Sequence, residues 1–192
     1  MHRRRKSLFI RAFIVIAVIF TVRASADAHD LVWPGEKLKT MFPQAVSFEQ
    51  KNLFVSEEQR VAIEKVLGSG LPAEDLKPSV YFAITRDRPD TSPRKAAAII
   101  FMDARGQGGK IEIGLAVSGK GKLIRLHIFE NMESASLTGT AFLKQFEGKE
   151  RSDKFRVGSD IIAPPETVKS AQAIASGARR GLILINELFK KK

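Results

Sequence analysis

The sequence predicts an α+β fold, a central antiparallel sheet with an early helix and a long C-terminal helix packed on it. Strand-like segments cluster in the middle of the chain, a well-capped helix precedes them, and a long helical repeat follows them. Helices set apart from the strands, instead of alternating with them, mark α+β architecture.

The elements can be taken in chain order. Residues 1–26 read as a secretory signal: a basic start at His2-Arg3-Arg4-Arg5-Lys6, an uncharged apolar run from Ala12 to Val22, and the small-residue exit Ala24-Ser25-Ala26. The run falls short of the roughly 20 apolar residues of a spanning helix; an uncleaved anchor stays open as the alternative. Either reading places the body of the protein in the periplasm or on the periplasmic face of an inner membrane. Residues 27–40 read as a polar lead-in, and residues 41–192 as the domain proper.

Within that domain, Glu57 to Leu67 has the marks of a helix. Ser56 and Gln59 form a capping box, and Gly68 stands at the stop. Val80 to Thr85 is β-branched and aromatic, a strand composition. Lys95 to Asp103 is an apolar run that ends at the turn-prone Arg105-Gly106-Gln107-Gly108-Gly109. Lys110–Val117 and Leu123–Glu130 follow, joined by Ser118-Gly119-Lys120-Gly121-Lys122. Ile111, Ile113, Leu115 and Val117 alternate with Glu112, Gly114 and Ala116, and Ile124, Leu126 and Ile128 alternate with Arg125 and His127. Period-two patterning around a glycine-rich turn predicts a hairpin with one buried and one polar face. A short helix is expected around Thr140 to Phe146, with Phe142 and Phe146 on one side. The last helix should run from about Glu166 to Phe189 after Pro164-Pro165, with Val168, Ala171, Ile174, Ala175, Ala178, Leu182, Ile185 and Phe189 on its inner face.

Composition narrows the function. The chain carries 32 Lys+Arg against 21 Asp+Glu. Six of those basic residues and no acidic ones fall in residues 1–26, so the remainder keeps 26 against 21, a net +5. That surplus is dispersed and accompanied by one Trp and one Tyr; nucleic-acid binding is rejected, since it calls for a clustered basic face with stacking aromatics. The absence of cysteine removes disulfides, thiolate-bound iron–sulfur clusters and thioether-attached haem. His29 and His127 lack metal-ligand spacing, so no metal site is assigned. No catalytic constellation stands out, and no nucleotide-binding glycine fingerprint is present.

The start of the last helix remains. Glu166-Thr167-Val168-Lys169-Ser170 places two hydroxyls three residues apart on its first turn. Unpaired N–H groups and the positive dipole end there can seat a phosphate. Glu166 adds an opposing charge, and the plain alternative is that Thr167 is a helix cap.

Taken together, these features resemble the FMN-binding domain family, which includes the flavin-carrying subunits of the Rnf complex and of the sodium-translocating NADH:quinone reductase. The resemblance runs from about Met41 to Phe189. It is carried by Met41-Phe42-Pro43, Ser47-Phe48, Glu130-Asn131-Met132-Glu133, Leu137-Thr138-Gly139, Phe142-Leu143-Lys144-Gln145-Phe146-Glu147-Gly148-Lys149 and Asp160-Ile161-Ile162. In that family a Ser-Gly-Ala-Thr segment opens the last helix, and a flavin transferase esterifies its threonine to the FMN phosphate. Here the matching segment is Pro164-Pro165-Glu166-Thr167, with the threonine and Ser170 kept. The family's Glu-Thr-Pro-Gly-Leu-Gly stretch retains Glu133 and Leu137 around Ser134-Ala135-Ser136.

The resemblance implies FMN as cofactor and Thr167 as its anchor. It also implies Glu166 and Ser170 beside the phosphate, and Glu133, Leu137, Thr138 and Gly139 toward the ring. The implied protein is an electron carrier, not a turnover enzyme, and its partners are a membrane redox complex or another electron-transfer protein. Two alternatives stay open: a module that binds FMN or another phosphate ligand without a covalent bond, and a cofactor-less assembly subunit of a membrane redox complex.

Overall fold

A computed structural model describes residues 33–190; the predicted signal lies outside the described residues. The fold is α+β. Five strands form one antiparallel sheet in the order β1-β2-β3-β4-β5: β1 Ser47–Asn52, β2 Ser79–Thr85, β3 Arg94–Arg105, β4 Lys110–Ser118 and β5 Leu123–Glu130. Each strand pairs with its sequence neighbour, as short connections favour. Helix α1 is Gly35–Met41 and α2 is Glu57–Leu67. Two single turns, α3 (Ala135–Thr138) and α4 (Thr140–Leu143), follow the sheet. A 3₁₀ turn at Pro165–Thr167 leads into α5, Val168–Leu188; Val168 and Phe189, expected on its inner face, stand at its two ends and are 42% and 41% exposed.

Helix α2 forms as its sequence predicts. Ser56 accepts the Gln59 N–H, Gln59 returns a bond to the Ser56 N–H, and Gly68 closes the helix at φ 76°. Helix α5 lies across β3 and β4 and is let in close by two glycines. An added Cβ at Gly177 would stand 2.8 Å from Ile113 Cδ1, and one at Gly181 would stand 2.8 Å from Met102 Cγ. Arg179 of α5 donates to the last carbonyls of α2, Val66 O at 2.7 Å and Leu67 O at 3.3 Å. A cation at a helix C-terminus also meets the negative end of its dipole. The main core therefore sits between α2, α5 and the face of the sheet that carries Ile100, Met102, Ile113, Leu115 and Val117.

The opposite face corrects the expectation of a polar surface. Residues 35–40, read as lead-in, join Met41 to form α1, and Leu38 and Met41 are buried completely. They close a second, smaller core with Tyr81, Ala83, Ala97, Ile99 and Ala116. The polar residue in the alternation, Glu112, is itself buried and pairs with Lys37 of α1. Burial of a charge is tolerated when it is paired. Arg125 adds a hydrogen bond to Thr40 O at 2.9 Å.

Strand β5 holds a second correction. Ala116 pairs with Arg125 but Val117 pairs with Leu123, so Ile124 is the extra residue of a bulge. Leu123 takes the inward place and Ile124 is left exposed; a bulge resets which side chains face in. The Thr140–Phe146 segment is one turn of α-helix followed by a 3₁₀ turn, with Phe142 and Phe146 buried at a ring distance of 5.4 Å.

Candidate functional site

The residues that the resemblance singles out come from two stretches, 133–139 and 166–170, and the fold brings members of both to one place. That place is the β3–β4 hairpin loop. Ser170, on the first turn of α5 and fully buried, accepts the Gln107 N–H at 2.9 Å. Glu133, just past β5, accepts the Gly108 N–H through Oε1 at 2.8 Å. Two consecutive amides of one loop are thus held by the two stretches. Glycine is needed here because the loop is tightly enclosed: an added Cβ at Gly106 would strike the Glu133 carboxylate, and one at Gly108 would strike the Met132 carbonyl. Read from sequence, this loop was an ordinary hairpin turn; its glycines show its role only once Glu133 and Ser170 are seen against it.

The other predicted residues of the first stretch follow Glu133 in the chain and make contacts of their own. Leu137 is fully buried in α3 and belongs to the main core. Thr138 donates to Ala135 O at 3.2 Å, and Gly139 links α3 to α4 with an exposed backbone. Gln145 is a residue the sequence reading did not single out. Its side chain holds both backbone groups of Ile162, donating to the carbonyl at 3.0 Å and accepting the N–H at 2.7 Å. This ties the turn after α4 to the approach of α5. Asp160 accepts the Arg156 N–H at 3.1 Å, and that hydrogen bond holds its carboxyl below the usual carboxylate range.

Thr167 does not cap α5. Its side chain makes no capping bond; the hydroxyl is turned inward, is 4% exposed, and donates to Pro164 O at 2.9 Å. The N–H of Thr167 is taken by Pro164 O and that of Val168 by Pro165 O, while Pro165 has no N–H to offer. Glu166 is exposed at the same turn. In this conformation the helix start presents a carboxylate and few free donors, and it does not fit a phosphoester on Thr167 Oγ1. The fit improves only if the Pro165–Thr167 turn opens.

Two clefts lie at the far end of α5, roughly 30 Å away at 1.5 Å per residue. One of about 230 Å³ is lined by Phe82, Lys95, Ala98, Ile185 and Phe189; the other, of about 470 Å³, lies along Val66, Lys120, Arg151 and Asn186. Among the described residues no group of three potential metal ligands comes together, and no helix is long and apolar enough to cross a membrane. No protein-family model matches the chain, and no curated protein matches it by sequence.

Proposed function

We propose that this chain is an exported FMN-binding electron-transfer protein that works against a membrane redox complex. The observation that carries the reading is the convergence at the β3–β4 loop. Glu133 and Ser170, 37 positions apart, hold adjacent amides of Gln107 and Gly108, so the two stretches assigned to the flavin by resemblance form one structural unit. When bound, FMN supplies one- and two-electron chemistry, and the protein supplies placement and electrostatic surroundings. In this chain the placing groups would be the 133–139 segment and the opening of α5; a tether at Thr167 would require its hydroxyl to leave Pro164 O.

One observation favours a second reading, in which FMN is held without the ester or the fold serves as a cofactor-less assembly subunit. Thr167 Oγ1 is buried and bonded to Pro164 O, beside the exposed carboxylate of Glu166. A transferase would have to free that hydroxyl first.

The test is intact mass and an absorption spectrum on protein exported together with a flavin transferase, wild type beside Thr167→Ala. A gain of one FMN less one water, lost in the variant, establishes the tether. An unmodified wild-type mass removes it. Added FMN that raises the melting temperature of the unmodified protein then supports the non-covalent binder, and no shift supports the cofactor-less subunit.

A further inference from the structure

A separate site is built at the far end of α5, and it does not depend on the flavin reading. In β3, Ala97 pairs with Ala83 and Lys95 with Ile84, so Ala96 is an extra, unpaired residue. Strict alternation would put Lys95 on the α1 side of the sheet with Ala97. The bulge turns it instead to the α5 side, where its ammonium lies 4.4 Å from the centroid of the Phe82 ring. Helix α5 stops at Leu188, short of covering this corner. Phe189 closes the corner in part, its ring 5.3 Å from Phe82 and its side 41% exposed. What is left is the open cleft of about 230 Å³, apolar along Phe82, Ala98, Val117, Ile185 and Phe189.

Lys95 lines this cleft, and Lys51 and Lys190 stand beside it. Lys51 lies 5.9 Å from the same Phe82 ring and forms no ion pair among the described residues. Lys95 meets one carboxylate, Glu49, at 2.9 Å. Lys190 follows Phe189, and its carboxylate neighbour Glu187, at 3.7 Å, is already held by Arg151 at 2.6 Å. Inorganic phosphate would leave the apolar walls wet, and a neutral hydrocarbon would make no use of the exposed ammonium groups of Lys51 and Lys95 beside them. A ligand with a hydrocarbon chain and an anionic head meets both features. At ~30 Å³ per water-sized unit the cleft has room for a chain of roughly eight carbons.

We propose that this cleft seats one acyl chain of an anionic amphiphile, with the head group between Lys51 and Lys95. The chemistry is shared by a free fatty carboxylate and by a chain of an anionic phospholipid.

The test follows amide NMR shifts of the exported protein titrated with butanoate, hexanoate, octanoate and decanoate. Octyltrimethylammonium serves as the cationic control. Shifts are expected at Ala98, Gly119, Ile185 and Phe189. Affinity should rise about fourfold per methylene up to about eight carbons, the factor that corresponds to ~0.8 kcal/mol per buried CH₂. The double variant Lys51→Gln/Lys95→Gln should weaken octanoate about tenfold, and Ala98→Leu, which fills the cleft, should weaken it similarly. Shifts confined to other residues, no chain-length dependence in wild type, or octyltrimethylammonium binding as tightly as octanoate would each overturn the proposal. Flotation with phosphatidylglycerol vesicles then separates the sources. A several-fold loss of vesicle binding in Lys51→Gln/Lys95→Gln assigns the chain to the bilayer. Unchanged vesicle binding together with weakened octanoate assigns it to a free carboxylate. Flotation is run at lipid concentrations where less than half of the wild type is bound, so that the N-terminal apolar run common to both proteins does not saturate the readout.

Discussion

Beneath α5 the sheet meets branched aliphatic side chains and a 21-residue helix whose glycines sit almost on the strands; beneath α1 it meets seven residues of helix and a row of rings. The rings run from Trp33 through Tyr81 and Phe101 to Phe129, with centroids 5.7, 5.9 and 5.7 Å apart. Both faces bury residues to zero exposure, yet they are held differently. The α5 face is covered by elements that also brace each other, Arg179 reaching α2 and Arg180 reaching Asp103 O at 2.6 Å. The α1 face hangs on one short helix, clipped by Lys37 to Glu112 and by Arg125 to Thr40. Complete burial is therefore expected to mean two things here: membership of the global core on one side, and membership of a patch that opens by itself on the other.

The sharpest way to break this comparison is to truncate one leucine on each face. Leu115 and Leu38 are both fully buried. Leu115→Ala should cost about 2–5 kcal/mol, the usual range for a buried leucine whose surroundings cannot collapse, read from the denaturant midpoint. Leu38→Ala should cost less, on the order of 2 kcal/mol, at the low end of that range. Its effect is capped because α1 can detach while the sheet stays folded. Hydrogen exchange would show the amides of Gly35–Met41 losing protection while those of β4 keep theirs. Equal losses at both sites, with α1 still protected, would mean the two faces unfold as one unit.

A smaller and subtler pair is Gly181→Ala against Gly114→Ala. An added Cβ at Gly181 would lie 2.8 Å from Met102 Cγ and 2.9 Å from Leu115 Cδ1; one at Gly114 would lie 2.6 Å from Phe129 Cε2 and 2.7 Å from Met41 Sδ. The clashes are alike, so the outcome measures how far each face can yield. In α5 the gain in helix propensity, about 1 kcal/mol, works against overpacking of about 1–3 kcal/mol, and the net should be a lower melting temperature. On the α1 face Met41 and the edge of Phe129 can swing outward, and Gly114→Ala should be close to neutral. A stabilised Gly181→Ala would show that α5 can slide, and would remove the distinction.

That distinction also sorts what could be read from the sequence. The α5 side was legible because its signals are local: the capping box at Ser56 and Gln59, the stop at Gly68, the recurrence of Ala171, Ile174, Ala178 and Leu182, and the period-two run of β4. The α1 side was not, because Glu112, Gly114 and Ala116 look like a solvent face. Glu112 is paired with Lys37 of α1, 75 positions earlier in the chain. The bulges at Ala96 and Ile124 were equally hidden, since they depend on the strand opposite. At the candidate site the chain order of Glu133, Thr167 and Ser170 was visible. Their hydrogen bonds were not: Ser170 is spent on the Gln107 amide and Thr167 is turned toward Pro164. Side-chain direction in a 3₁₀ turn is decided by the packing around it, and Pro164-Pro165 announced the helix without announcing which way Thr167 would face.

The smallest expected effect reports on the α1 face through His127. Its ring lies tilted against Phe129 with centroids 4.6 Å apart, and it pairs across the strands with Gly114, the residue on which Met41 rests. Burial, with a lesser push from the Arg125 charge, lowers its pKa from the ordinary value of 6.5. A histidine depressed in the folded state binds its proton more readily when unfolded. Its contribution to stability is thus present above pH 6.5 and is lost as pH falls from that value through the folded pKa. The His127 ring protons should titrate in NMR with a midpoint below 6.5, and His127→Gln should flatten the fall in stability between about pH 7 and pH 5, the region where histidine titrates. The same signal tests the opening of α1 without unfolding anything else. In Leu38→Ala the ring should regain solvent and its midpoint should return toward 6.5. A midpoint that stays depressed would mean that the rings, and not the helix, keep this face dry.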